Sequence, residues 1–184
     1  NSTGSGNISI KDIGDTDTVG VSGSTAIGNN TTNKLDLGGT TYKTNAATYT
    51  AKSGENIDLT GSSTTTFTTS SDAVTFGTAT VEMGDGSHLV VDTSTGGGAL
   101  ISLAAGVMGT TSENITLTAG TGAVTLGAIG TGTEIADVTI TSTGTTTFNG
   151  DFIGGTLENT GPVVVGADMN IGTGAVTFGG TLDS

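Results

Sequence analysis

The 184-residue chain contains no cysteine, no tryptophan and no arginine. The first absence excludes a disulfide framework, a thiol nucleophile and any thiolate metal site. No apolar run reaches the length of a membrane-spanning helix, so no membrane insertion is expected. Cations are nearly as scarce: Lys11, Lys34, Lys43 and Lys52 are all there are, and from Ser53 onward thirteen acidic residues meet no Lys or Arg. A chain of net charge −13 with such a body has nothing to neutralise phosphates, which excludes nucleic acid and anionic membranes as partners.

Catalysis is limited by the same inventory. The only histidine, His88, follows Asp85 and Ser87, but neighbours in a strand point to opposite faces, so adjacent positions cannot assemble a triad. Enzymes that cleave acidic polysaccharides need cations to hold the substrate and its anionic transition state. The body offers none, and the expectation is a protein without enzyme activity.

What the chain has is glycine and threonine, 33 and 41 residues. Leu, Ile, Val and Phe together make up about 22% of positions, just above the range where highly charged chains stay disordered. They are arranged in period-two pairs, including Ile57/Leu59, Val74/Phe76, Ile115/Leu117, Val124/Leu126 and Val176/Phe178. Each pair puts two apolar side chains on one face of a short strand, and these ten residues are the expected core.

The wording repeats. Gly122-Ala123-Val124-Thr125-Leu126-Gly127 returns as Gly174-Ala175-Val176-Thr177-Phe178-Gly179 and as Asp72-Ala73-Val74-Thr75-Phe76-Gly77. Glu55-Asn56-Ile57-Asp58-Leu59-Thr60 returns as Glu113-Asn114-Ile115-Thr116-Leu117-Thr118, and Thr64 to Phe67 as Thr145 to Phe148. A strand between two glycine bends cannot bury its apolar face alone, so many of them must stack. The expected fold is all-β, a parallel β-helix (β-solenoid) of roughly eight coils; an antiparallel β-sandwich of pilin type is the alternative. No single period fits the spacings, which are read as multiples of a shorter coil with variable turns. Residues 1–52 form a less regular, charge-balanced head and 53–184 an acidic body, within one continuous domain. Pro162, lacking an amide hydrogen, is placed in a corner before Val163.

Phrases such as Thr147-Phe148-Asn149-Gly150-Asp151-Phe152, Val165-Gly166-Ala167-Asp168-Met169-Asn170-Ile171 and Ala175-Val176-Thr177-Phe178-Gly179-Gly180 resemble the β-strand repeats of very large bacterial surface proteins, the filamentous-haemagglutinin-like and autotransporter-type adhesins. The resemblance covers about residues 55–184. It implies an exported, non-enzymatic parallel β-helix acting as stalk, adhesin or surface filament, and it transfers no binding residue. An extracellular or cell-surface location also suits a chain that begins at Asn1 and is rich in Thr, Ser, Asn and Gly.

Three further expectations concern partners. Asp12, Asp15 and Asp17 supply oxygen ligands suited to calcium, though not in the spacing of a known calcium loop, so Ca2+ is the one cofactor considered. Copies of the chain are expected to associate head to tail, with Ile8/Ile10 or Val19/Val21 donated as a strand to the next copy's open edge. Thr-x-Thr pairs at Thr48/Thr50, Thr64/Thr66, Thr78/Thr80, Thr93/Thr95, Thr116/Thr118 and Thr131/Thr133 raise ice binding as an alternative, which requires them to share one face. A calcium-stabilised surface-layer or carbohydrate-binding module is the remaining alternative.

Overall fold

The computed structural model describes residues 6–14, 21–61 and 63–184. Among them there is no helix; the chain winds as a succession of short strands around three faces, every strand pairing parallel with the strand one coil away. The first coil carries β1 (Asn7–Ile10) and β2 (Thr25–Gly28). The second carries β3 (Lys34–Leu37), β4 (Thr41–Lys43) and β5 (Ala47–Thr50), and the third β6 (Asn56–Leu59), β7 (Thr64–Thr68) and β8 (Val74–Gly77). Next come β9 (Thr80–Met83), β10 (His88–Asp92) and β11 (Ile101–Leu103), then β12 (Val107–Met108), β13 (Asn114–Gly120) and β14 (Val124–Leu126). The sixth coil has β15 (Ile135–Ser142) and β16 (Thr146–Phe148), with Ile129 bridging its first face. The seventh has β17 (Phe152–Asn159), which turns a corner between two faces, and β18 (Val163–Val165). The eighth has β19 (Met169–Ile171), β20 (Val176–Phe178) and β21 (Leu182–Asp183).

The result is a parallel β-solenoid. Its third face is the most regular, eight strands in the order β2-β5-β8-β11-β14-β16-β18-β21. Seven steps of about 4.8 Å between paired strands give a rise of about 34 Å. The sheets run across residues 52–53 without a break, because β3, β4 and β5 pair directly with β6, β7 and β8.

Alternation explains the interior. Residues pointing inward form columns: Leu35, Ile57, Val81 and Val107 stack on the first face, Leu89, Ile115, Val138 and Leu157 on the second, Val74, Ile101 and Val124 on the third. All of these are essentially inaccessible to solvent. A solid interior of β-branched and aromatic side chains suits the pleat, and each buried Val, Leu, Ile or Phe contributes about 1.5–3 kcal/mol relative to exposure. The densest part is an aromatic cluster in the second and third coils. Tyr42 stacks on Phe67 at 4.8 Å and Tyr49 on Phe76 at 5.2 Å, and the two stacks meet edge to face, Phe67 against Phe76 at 5.0 Å and 88°.

Corners set the coil length. Register advances by 22 residues from Leu35 to Ile57 and 24 from Ile57 to Val81, but by only 17 from Phe152 to Met169. Gly130 shows why glycine holds such corners: its φ is +77°, and a Cβ there would lie 2.0 Å from the carbonyl oxygen of Ile153. Pro162 precedes β18, outside the strand, and its carbonyl accepts the Thr146 amide.

Eight of the ten expected core residues, Ile57, Leu59, Val74, Phe76, Ile115, Leu117, Val124 and Leu126, are at most 1% exposed. Two differ. Val176 is 41% exposed and Phe178 only partly buried, because β20 is covered on one side alone, by β17. The repeated phrases are also not copies of one coil position. Val74 and Val124 share the third face two coils apart, whereas Val176 lies on the second. Likewise Asn56–Leu59 forms β6 on the first face and the matching Asn114–Leu117 opens β13 on the second. The repeat is a strand unit that fits any face; the interval from Val74 to Val124 is two coils, but those from Val124 to Val176 and from Ile57 to Ile115 are not whole coils.

Candidate functional surfaces

The outward side of the first face carries the strongest charge pattern. Parallel register stacks Ser9, Asp36, Asp58 and Glu82 in one column, with Lys34 and Asn56 beside them. Like charges on adjacent strands repel, and neighbouring groups offset this. Lys34 Nζ forms an ion pair with Asp58 Oδ2, Ser9 Oγ donates to Asp36 Oδ2 at 3.0 Å, and the Asn56 amide donates to Glu82 Oε2. The hydrogen bond and charge of Asp58 hold the Lys34 ammonium above its usual pKa. One lysine meets three carboxylates, so the column is held together by these contacts and keeps a net negative charge.

Glu113 occupies the corner before β13 and is buried. Its carboxylate accepts the Thr110 amide at 3.0 Å, the Thr111 amide at 2.8 Å, the Thr110 hydroxyl at 2.8 Å and, from the coil above, the Gly86 amide at 3.4 Å. Burial acts to raise its pKa, but the Thr110 and Thr111 donors outweigh that and hold it below the ordinary glutamate value. Nearby, His88 opens β10, and its Nδ1 accepts the Asn114 amide at 3.2 Å. The Ser87 hydroxyl donates to the Gly84 carbonyl at 2.7 Å, so Ser87 and His88 are each engaged with backbone rather than with one another.

Of the calcium candidates, Asp15 and Asp17 lie outside the described residues. Asp12 turns toward the second coil, where its Oδ1 accepts the Thr40 and Thr41 amides at 2.6 and 2.8 Å. Those two amides, Thr41 first, hold its pKa below the usual value. Among the described residues, no three His, Asp or Glu side chains are placed together to hold a metal ion.

The threonine pairs scatter. Thr48/Thr50 face outward on the third face, Thr64/Thr66 and Thr116/Thr118 on the second, while Thr78 and Thr93 sit in corners and Thr131/Thr133 in a loop. The sequence did not reveal a different alignment. On the third face Thr48, Thr75, Ser102, Thr125 and Thr147 stack in register as an unbroken outward column of hydroxyls. Beside it runs a column of residues whose carbonyls accept the ladder bonds, Ala46, Ala73, Leu100, Ala123, Thr145 and Pro162. From Ala26 to Val164 the outward positions of this face's strands carry no charge.

Of the expected assembly residues, Ile8 and Ile10 lie in β1, paired with Leu35 and Leu37 of the same chain and partly buried against the core. Val21 is 44% exposed and bridges to Thr44; Val19 lies outside the described residues. The two ends match in column order. Following the first face step by step, Ile8 heads the column that ends at Met169, both inward and partly buried. Comparison with protein families, characterised protein sequences and solved structures returns no match to this chain.

Proposed function

We propose that this protein is a non-enzymatic structural element of an extracellular or cell-surface filament or adhesin stalk, a rod lengthened by stacking coil on coil. The observation that carries the reading is the match of the two ends on the first face, where one inward column is apolar from its first residue to its last. β1 and β19 each pair along one edge among the described residues, and Ile8 and Met169 belong to the same inward column. A further coil laid on either end continues the first-face column, apolar on apolar, and satisfies the strand edge. Such a contact is heterologous and propagates without closing. The resemblance of residues 55–184 to adhesin repeats supports the same reading.

Electron microscopy of the purified protein at high concentration tests it. Eight levels at about 4.8 Å predict fibres with an axial subunit repeat of about 38 Å. Removing residues 1–25, and with them β1, should abolish the fibres; a truncated protein that assembles with the same repeat overturns the proposal.

A further inference from the structure

The third face is distinct from the other two in charge and relief. The first face presents Asp36, Asp58 and Glu82 outward, and the second presents Asp92, Asp137 and Glu158. Between these lies a strip seven strands long whose outward strand positions are uncharged. Beside its hydroxyl column, at the centre of the strip, Leu100 stands 39% exposed between Ala73 and Ala123. A large exposed aliphatic side chain flanked by small ones makes a knob with a step on either side.

We propose that this face is a homotypic docking surface on which a second copy of the chain packs sheet to sheet. The chain's charge decides the occupant. With a net charge of −13, two copies repel through any surface that brings carboxylates within a Debye length of about 8–10 Å. Packed sheets lie about 10 Å apart. The first and second faces therefore oppose self-association, and the third alone lets two acidic copies meet without juxtaposed charge. The area is sufficient: seven strands about 4.8 Å apart, each with three outward positions about 6.6 Å apart (such as Ala46, Thr48 and Thr50), cover roughly 600 Å² per copy, about 1,200 Å² in total, above the ~1,000 Å² a specific interface needs. In a two-fold arrangement the Leu100 knob of each copy rests against the other's alanine step. This lateral pairing does not depend on extension of the rod at its ends.

Sedimentation velocity and cross-linking test the proposal together. The wild-type protein is expected to form a dimer at tens of micromolar, and Leu100→Glu to weaken dimerisation at least tenfold with an unchanged circular dichroism spectrum. Thr116→Glu, on the second face, should leave the dimer intact. Because the chain has no cysteine, Ala123→Cys should give a disulfide-linked dimer on mild oxidation and Thr116→Cys should not. A wild-type monomer, association unaffected by Leu100→Glu, or a monomer that shapes ice crystals through this face each overturns the proposal. Fibres that persist without β1 while Leu100→Glu abolishes the dimer would count against coil stacking and leave this proposal standing.

Discussion

The Thr146 hydroxyl donates a 2.8 Å hydrogen bond to Oδ1 of Asn159 inside the solenoid, and the Asn159 amide passes on to the Gly161 carbonyl at 2.7 Å. Both residues are at most 1% exposed and occupy columns that are apolar on neighbouring coils: Val124 and Val163 flank Thr146, Ile140 and Phe178 flank Asn159. A paired polar step in an apolar column is tolerated because each buried group has a partner. Asn159→Leu is expected to cost about 1–3 kcal/mol by leaving Thr146 desolvated and unpaired, and Thr146→Val likewise. The double variant should recover most of the loss. Denaturant unfolding of the four proteins checks this, and additive losses would show that the pair does not act as a unit.

The strands were legible in the sequence and the coil was not. Ile115/Leu117 and Val124/Leu126 announce themselves because period-two alternation is local, and they are fully buried as expected. The wording of a strand, however, says nothing about which face it occupies. Asn56-Ile57-Asp58-Leu59 and Asn114-Ile115-Thr116-Leu117 fit different faces because each face asks only for two inward apolar residues between bends. Corner length then decides register, and corners vary too widely in length for a period to survive. The uncharged third face escaped notice for the same reason: Thr48, Thr75 and Ser102 become neighbours only once the 27-residue steps between them are known.

Glu113 makes stability dependent on pH. Its folded pKa lies below the ordinary value of 4.5, so its contribution is fully present above about pH 4.5 and is lost as pH falls through the depressed folded value. Thermal unfolding midpoints measured from pH 7 to pH 3 should therefore fall for the wild type. Glu113→Gln should unfold at a lower temperature at pH 7, having lost a charged acceptor for the Thr110 and Thr111 donors. Its decline with acid should be shallower than that of the wild type. Parallel curves for the two proteins would refute this account of Glu113.

Thr65 breaks the second-face column that Leu89, Ile115, Val138 and Leu157 continue. Its hydroxyl is buried and finds no hydrogen-bond partner among the described residues. A buried unpartnered hydroxyl costs roughly 1–3 kcal/mol, and valine has nearly the same shape. Thr65→Val is accordingly expected to stabilise the protein, seen as a higher denaturant midpoint at unchanged slope. A destabilised variant would show that the hydroxyl is satisfied after all.

Phe67 and Tyr49 are the two side chains through which the aromatic cluster is joined. Phe67 stacks on Tyr42, meets Tyr49 edge on at 5.1 Å and Phe76 at 5.0 Å, and so, like Tyr49, it contacts all three other rings. Replacing Phe67 with alanine removes those contacts and leaves a cavity between the second and third coils, at an expected cost of about 3–5 kcal/mol. In a solenoid each coil contacts only its neighbours, so the loss should stay local. Hydrogen exchange is the measurement that separates the outcomes. Amides of β3 to β8 should lose protection in Phe67→Ala while those of β13 to β17 keep theirs, because the later coils pack around Phe148 and Phe152, a separate pair at 5.9 Å. Uniform loss along the chain would mean that the whole rod unfolds as one cooperative unit and that the cluster governs its global stability.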